Sequence, residues 1–366
     1  MGSPPRRRDR LDRRPPARRA LALARGSCPV AGLAAPGHVG VTTQVGPVTP
    51  TTRVLPPEAD VTISSHRWRL TLGFCGPGSV VGHRHRDGGC PRFALVTRTF
   101  VSPSGLAGTV TGSGPAVLLL HGGPGMTDYM QSLLPELDGH QVASFQQRGV
   151  APSTLIGPFD VPTLRTDVIE VLDTLGWDAP VIIGHSWGGH LLLHLLAATP
   201  ARVGAALLVD PLGAVGDGGM AAFQAELQRR LPKETLTRFE ELDAIEASRP
   251  LTQEEHLEAM EIGWPGYFSS LEAAQPIPQT GHAPSDESWA SIRAELPTLA
   301  ERLRGCTVPT RFMHGALDPL PVTASTEAAE VLGAPVDVLP GNGHFPWLED
   351  PGCVRRSLDL LLATAY

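Results

Sequence analysis

From residue 93 to the end of the chain, short β-rich apolar runs alternate with longer segments that carry apolar residues at helical spacing. Within one longer segment, Val161, Leu164, Val168 and Val171 recur in steps of three and four, which places them on one helix face. Crossover helices between successive strands favour a mostly parallel sheet covered by helices on both faces. The predicted fold class is therefore α/β, with strands at 93–101, 116–120, 141–145, 181–183, 205–209, 311–313 and 336–339.

The alternation stops between residue 210 and about residue 300. Strand signals vanish there, and Met220, Phe223, Leu227 and Leu231 repeat at helical spacing. An insertion of this size after a strand end would cover the carboxyl edge of the sheet, where sites form in open α/β folds. The predicted domains are a core in two parts, 93–213 and 300–366, and an inserted helical cap at 214–299.

The first 92 residues have a different composition from the remainder. They contain 15 Arg, no Lys and 5 acidic residues, a net charge of +10, against −17 for residues 93–366. Pro, Gly, Arg and Thr dominate without a sustained period, which is typical of disorder. We predict that 1–92 is a flexible extension without chemistry, or an over-extended reading frame whose true start is a non-Met codon near Val96.

Two binding functions of this extension are disfavoured. Eight arginines lie within 6–19, but no aromatic side chains for stacking accompany them and the rest of the protein is acidic. Cys75, His83, His85 and Cys90 offer four potential zinc ligands, but their spacing matches no compact zinc finger and favours a chance cluster. We predict neither a nucleic-acid partner nor a bound metal.

Apolar runs in this chain are short. They fall far short of the roughly 20 residues that cross a bilayer, and the five apolar residues at 20–24 are too few for a secretory signal. The five cysteines show no repeating spacing, which favours a reducing compartment. We expect no membrane partner and a cytoplasmic location.

A G-x-S-x-G sequence centred on Ser186 joins a predicted strand to a predicted helix. A serine at such a sharp turn exposes its hydroxyl at the N-terminus of the helix, where the helix dipole favours a developing oxyanion. Flanking Gly184 and Gly188 avoid collisions with the neighbouring strand and helix. A glycine-rich turn without chemistry is the alternative, but the strand and helix on either side favour a nucleophile.

Candidates for the acid and the base follow later strands. Asp318 ends the run His-Gly-Ala-Leu-Asp after the first strand beyond the cap, and His344 follows the last strand. The chain order serine, acid, histidine is that of α/β-fold hydrolases. Asp210, at the end of the strand 205–209, is an alternative acid, and we favour Asp318. The other histidines near these turns are expected to have structural roles: His121, His185, His190 and His314.

A further turn, His-Gly-Gly-Pro-Gly at 121–125, follows the strand 116–120. Acyl transfer needs backbone N–H groups that approach the carbonyl oxygen as it becomes an oxyanion. The expected donors are Gly123 and the residue after the nucleophile, Trp187. Because nucleophile, base, acid and oxyanion donors are complete, no metal or organic cofactor is implied.

From about residue 93 to residue 366, the chain resembles the α/β-hydrolase superfamily. Its HGGPG, QQRG and GHSWGG runs are similar to those of the prolyl aminopeptidase (proline iminopeptidase, S33 serine peptidase) branch. The resemblance implies an α/β-hydrolase fold with a cap, Ser186, Asp318 and His344 as a catalytic triad, and Gly123 and Trp187 as an oxyanion hole. It also implies cap glutamates that hold the free amine of a substrate.

This chain departs from the aminopeptidase pattern at two places. The pattern D-Q-R-G-x-G-R-S is here Q-Q-R-G-V-A-P-S at 146–153, so the acid and the second arginine are missing, and His185 stands where a glycine is usual. The predicted function is a serine hydrolase acting through an acyl-enzyme on a small molecule or short peptide, either iminopeptidase-like or a carboxylic ester hydrolase. A non-catalytic ligand receptor is disfavoured because no triad position is substituted. Candidate substrate-binding residues are Glu258, Glu261 and Trp264, although a solvated acidic helix face is the favoured interpretation of the glutamates.

Overall fold

The computed structural model describes residues 59–63, 66–70, 97–276 and 286–365. The predicted α/β class is confirmed: eight strands form one sheet in the order β10-β9-β8-β7-β5-β6-β4-β3. The strands β5 to β10 run parallel to one another, and β4 pairs antiparallel with both of its neighbours, β3 and β6. These strands are β3 (Thr97–Val101), β4 (Ala107–Gly112), β5 (Ala116–Leu120), β6 (Gln141–Phe145), β7 (Val181–His185), β8 (Ala205–Val209), β9 (Thr310–Gly315) and β10 (Val336–Leu339).

Two further strands lie inside the segment 1–92. β1 (Ala59–Ile63) pairs with β2 (His66–Leu70) as an antiparallel hairpin that the composition of the segment did not indicate. The remainder of that segment, including the cluster Cys75, His83, His85 and Cys90, lies outside the described residues. Its predicted disorder therefore stays a prediction.

Helices cover both faces of the sheet, because side chains of the central strands point alternately to opposite sides. In β5, Leu118 and Leu120 belong to one buried cluster, while Val117 and Leu119 belong to the other. The first cluster is completed by α1 (Val161–Leu175), α2 (Trp187–Ala198), α6 (Asp286–Leu303) and α7 (Val322–Leu332). The second is completed by a 3₁₀ helix (Met130–Leu137), α8 (Pro346–Glu349) and α9 (Cys353–Ala365).

Among the described residues between β8 and β9, helices are the only regular secondary structure. It contains α3 (Met220–Arg230), α4 (Lys233–Glu246), α5 (Gln253–Gly263), two short 3₁₀ turns (Trp264–Tyr267 and Leu271–Ala273) and α6. A small cluster around Leu227, Leu231 and Phe239 packs α3 against α4. The exact cap boundaries, 214–299, stay a prediction. No helix in the described part of the chain combines the length and apolar content needed to span a bilayer.

Helix α2 carries two fully buried histidines among its leucines. His190 Nδ1 lies 3.3 Å from the carbonyl of Leu212, and its Nε2 lies 3.2 Å from Nε2 of His194. A neutral His190 satisfies both contacts when Nδ1 donates and Nε2 accepts. Burial lowers the pKa of His190 to about 4.

This lowered pKa predicts a loss of stability in acid. Below its usual pKa of about 6.5, His190 takes up a proton in the unfolded chain but not in the folded one, so the free energy of unfolding falls until the pH reaches about 4. His190→Asn keeps an amide donor for Leu212 but cannot be charged. The free energy of unfolding is measured with urea between pH 6.5 and 4.5. Its decrease with falling pH should be shallower in the variant by up to about 1.4 kcal/mol per pH unit. Parallel slopes would contradict the prediction.

Candidate active site

The loop between β7 and α2 places Ser186 in strained backbone geometry. Ser186 has φ 55° and ψ −120°, outside the regions that non-glycine residues usually adopt. The turn is also crowded: a Cβ on Gly188 would stand 2.1 Å from the carbonyl oxygen of Leu120, and one on Gly184 would stand 2.5 Å from the carbonyl oxygen of Gly188. Only glycine fits at these two positions, so the sequence pattern and the turn require each other.

His344 is buried in the loop after β10, beside Asp318. Its Nδ1–H donates to Asp318 Oδ2 over 2.7 Å, while Asp318 Oδ1 accepts the N–H of Leu320 at 2.7 Å. Both His344 and Ser186 line the same cavity. Burial lowers the pKa of His344, which keeps the ring neutral. The bond to Asp318 leaves the other ring nitrogen of His344 available.

Asp210, the alternative acid, lies behind Asp318 at the end of β8. Asp210 Oδ1 accepts the N–H of Gly315 at 2.7 Å. When the Asp210 carboxyl is ionised, its buried Oδ2 has no hydrogen-bond partner among the described residues. Burial and the neighbouring Asp318 raise the pKa of Asp210 well above its usual range. Two adjacent buried carboxyls retain one proton between them, and we assign it to Asp210 because Asp318 is the one bonded to His344.

These acids and His344 also form a group of potential metal ligands. Among the described residues, one ligand atom from each of Asp210, Asp318 and His344 lies within 4.8 Å of the other two. Each already makes a hydrogen bond within the loops: Asp210 to Gly315, and Asp318 to His344. A shared proton and these bonds therefore account for the cluster.

His314 supports the loop that carries Asp318. Its Nε2 bonds the carbonyl of Leu320 at 2.9 Å and its Nδ1 bonds the hydroxyl of Ser325 at 2.7 Å. Burial lowers the pKa of His314 to about 4, which keeps the ring neutral. His314 thus joins the end of β9 to the start of α7, in keeping with the structural role expected from the sequence.

Gly123 and Trp187 are the two expected oxyanion donors. Both residues line the cavity with Ser186, and neither N–H donates to any residue that the structure describes. Gln147 bridges the two segments, because its side-chain N–H donates to the carbonyl of His121 at 2.8 Å and its oxygen accepts the indole N–H of Trp187 at 3.0 Å. In the sequence, Gln147 stands out only as part of the divergent run 146–153.

The cavity beside Ser186 is small and apolar, with a volume of about 100 Å³. Its described lining contains no Asp, Glu, Lys or Arg. Burial raises the pKa of both lining tyrosines, Tyr129 and Tyr267, so they remain uncharged. The apolar part of the wall is formed by Met126, Leu212, Met220, Phe223, Met260, Trp264, Trp289, Leu320 and Phe345.

The three predicted substrate-binding residues lie at different places in the structure. Trp264 lies on the cavity wall, and its indole N–H donates to the carbonyl of Gln275 at 2.7 Å. Glu258 instead forms a two-bonded ion pair with Arg238, each bond 2.8 Å long, and Glu261 is exposed. Neither glutamate lines the cavity, which agrees with the favoured interpretation of a solvated face of α5. A contact of these glutamates with substrate stays a prediction.

Comparison with known proteins identifies the family of this chain. Residues 115–351 match the family model described as alpha/beta hydrolase fold. The chain belongs to the α/β-hydrolase family. The match covers the elbow at Ser186, the loops of Asp318 and His344 and the intervening helices, so all elements of the site lie on the matched part of this hydrolase.

The hydrolase is similar in sequence to proteins whose names indicate different activities. It is 27% identical over 256 residues to "Putative carbamate hydrolase RutD" of Variovorax paradoxus (strain S110), covering 67% of this chain and 90% of that protein. It is 26% identical over 292 residues to epoxide hydrolase A of Mycobacterium tuberculosis (strain ATCC 25618 / H37Rv), covering 67% and 89%.

Similarity to solved structures supports the fold of the hydrolase. The proline iminopeptidase-related protein of Thermus thermophilus superimposes with a TM-score of 0.50 at 21% sequence identity, covering 75% of this chain and 100% of that one. At this identity the likeness concerns the fold. The predicted α/β-hydrolase superfamily is confirmed by the family match over residues 115–351.

Proposed function

We propose that this hydrolase is a serine esterase that cleaves carboxylic esters with short apolar acyl groups. The observation that carries the proposal is the uncharged cavity of about 100 Å³ that adjoins Ser186. A preformed apolar cavity of about 150 Å³ holds a molecule of benzene size, so this one suits acyl groups of about four to six carbon atoms.

The named side chains supply each step of the reaction. Ser186 attacks the ester carbonyl while His344, oriented by Asp318, removes the hydroxyl proton. The N–H groups of Gly123 and Trp187 stabilise the oxyanion, and one such donor typically contributes about 3 kcal/mol. His344 then protonates the leaving alcohol. Water next attacks the acyl-enzyme while His344 removes its proton, and His344 returns a proton to Ser186 as the acid product leaves.

An aminopeptidase activity is the second candidate, because HGGPG and GHSWGG are similar to the iminopeptidase runs. That activity requires a group that binds the ammonium of the substrate. The described cavity wall offers no carboxylate, and Glu258 is engaged by Arg238 outside it. Burying an unpaired ammonium costs several kcal/mol, so the ester reaction is favoured.

Two esters of similar shape distinguish the proposed esterase from the aminopeptidase. p-Nitrophenyl 3-methylbutyrate and valine p-nitrophenyl ester differ in the acyl part only by the α-ammonium group. We expect kcat/KM for the neutral ester to exceed that for the cationic ester by at least about 100-fold, because the cavity has no partner for the charge.

Proline β-naphthylamide and a p-nitrophenyl octanoate serve as further substrates in the same assay. The octanoate should be hydrolysed more slowly than the 3-methylbutyrate, since its chain exceeds the cavity. A preference for the cationic ester, together with cleavage of the proline amide, would establish the aminopeptidase alternative instead.

A further inference from the structure

A continuous chain of hydrogen bonds runs behind the site. The N–H of Gly122 donates to the Tyr129 hydroxyl at 2.8 Å, and that hydroxyl lies 2.6 Å from His185 Nδ1. His185 Nε2 in turn lies 2.7 Å from the carbonyl oxygen of His344. The four residues come from separate segments and meet only in the fold.

The chemistry of the two ends fixes every proton in this chain. The Gly122 N–H can only donate, so the Tyr129 oxygen accepts it and sends its own hydrogen to His185 Nδ1. The proton of His185 must then lie on Nε2, where it donates to the His344 carbonyl, which can only accept. Burial lowers the pKa of His185 well below its usual value and raises that of Tyr129, so both groups remain neutral.

The imidazole of His185 is held from several sides. Tyr129 and Trp347 contact it edge to face, with ring centroids 5.5 and 4.8 Å away, and the Phe345 centroid lies 5.0 Å away. His185 is fully buried. A ring so enclosed transmits a displacement of one hydrogen-bonded neighbour to the other.

This chain of hydrogen bonds touches three segments that the proposed reaction uses. Gly122 precedes the expected oxyanion donor Gly123, His185 precedes Ser186, and the last bond ends on the main-chain carbonyl of His344. These segments are in close contact, since a Cβ on Gly122 would stand 2.8 Å from the Cβ of Ser186. Small shifts of one loop therefore change the spacing of the reacting groups.

We propose that Tyr129 and His185 form a positioning pair that fixes the oxyanion loop, Ser186 and His344 relative to one another. The proposal rests on the proposed roles of Ser186 and His344. Neither member of the pair takes part in bond making, so the pair acts on kcat through geometry. Placement errors of this kind slow enzymes even when substrate still binds.

Three substitutions separate the bonds. Tyr129→Phe removes the hydroxyl and keeps the ring on the cavity wall. His185→Gln retains a nitrogen donor for the His344 carbonyl but loses the acceptor for the Tyr129 hydroxyl. His185→Asn retains an acceptor near the Tyr129 hydroxyl but loses the bond to the His344 carbonyl. Each leaves a buried polar group without a partner, so we expect kcat to fall about 10- to 100-fold while KM for p-nitrophenyl 3-methylbutyrate changes less than about 2-fold.

The double variant Tyr129→Phe with His185→Gln tests whether the two residues act as one unit. Its kcat should lie close to that of the poorer single variant, because the bond between them is broken already. Fluorophosphonate labelling should slow in proportion to kcat, and it counts the folded, competent sites in each sample. Multiplying effects in the double variant would overturn the pair.

Ser132→Ala is the matched control. The exposed Ser132 hydroxyl donates to the Tyr129 main-chain carbonyl at 3.0 Å and accepts the indole N–H of Trp347 at 2.8 Å. It therefore supports two of the neighbours of His185 without belonging to the proposed hydrogen-bond chain, and water can replace its bonds. We expect its kcat to stay within about 2-fold, whereas an equal loss would indicate general loosening and overturn the proposal. If the wild-type protein is not labelled, the proposed function fails. If it is labelled and Tyr129→Phe reacts normally, only the positioning pair fails.

Discussion

Replacing Ser186 with alanine is expected to abolish ester hydrolysis and covalent labelling by a fluorophosphonate probe. The hydroxyl is held at the elbow by φ 55° and by glycines on either side, and its loss removes the nucleophile itself. Loss of a serine nucleophile typically lowers kcat by about 10⁶-fold. The measurement is the rate of p-nitrophenol release and the intensity of the labelled band.

Ser248→Ala provides the comparison for this experiment. Ser248 is exposed just after α4, and its hydroxyl donates only to the Ile245 carbonyl among the described residues, at 2.8 Å. Labelling and turnover should remain at the wild-type level. Undiminished labelling of Ser186→Ala would refute the nucleophile, and a wild-type protein that resists the probe would favour the non-catalytic receptor.

Substituting the two buried acids by asparagine should have very unequal effects. Asp318→Asn removes the charge bonded to His344 Nδ1 and favours the wrong tautomer of the base, which lowers kcat by about 10⁴-fold in comparable triads. Asp210→Asn keeps an acceptor for the Gly315 N–H and an amide donor toward Asp318. Asparagine also tolerates the Asp210 backbone at φ 44°. We expect a loss below about 10-fold for Asp210→Asn.

The comparison of these variants identifies the acid of the triad. kcat/KM for p-nitrophenyl 3-methylbutyrate is measured for both, with thermal unfolding as the control for folding. The reverse order, a severe loss in Asp210→Asn and a mild one in Asp318→Asn, would assign the acid to the end of β8. Equal losses would mean that the carboxyl pair works as one group.

The interior of the sheet could be predicted closely from sequence, whereas β4 could not. Parallel strands buried on both faces are continuous apolar runs, and 116–120, 141–145 and 205–209 coincide with β5, β6 and β8. β4 has the sequence AGTVTG, whose two glycines give it weak strand propensity. Pairing with strands on both sides overrides this propensity, and Gly108 permits close approach to the Ser144 carbonyl.

The candidate site, like the sheet, could be predicted only in part from the sequence. Ser186, Asp318 and His344 follow strands, and the topology of parallel sheets alone brings such loops to one edge. Tyr129 gave no sequence signal, because its partner His185 is 56 residues away and no periodicity links them. The sequence around Glu258 is ambiguous, because an acidic helix face has the same pattern whether it binds a substrate or, as here, an arginine on α4.

Part of the wall of the proposed acyl site is built by elements other than those that carry the proposed reaction. Met220, Met260 and Trp289 belong to α3, α5 and α6, whereas the proposed nucleophile and base sit on loops of the sheet. Methionine side chains adapt easily to new shapes. Changes in substrate size can therefore accumulate in the helical interval while the reaction centre stays constant, which gives such a chain a route to new specificities without a loss of chemistry.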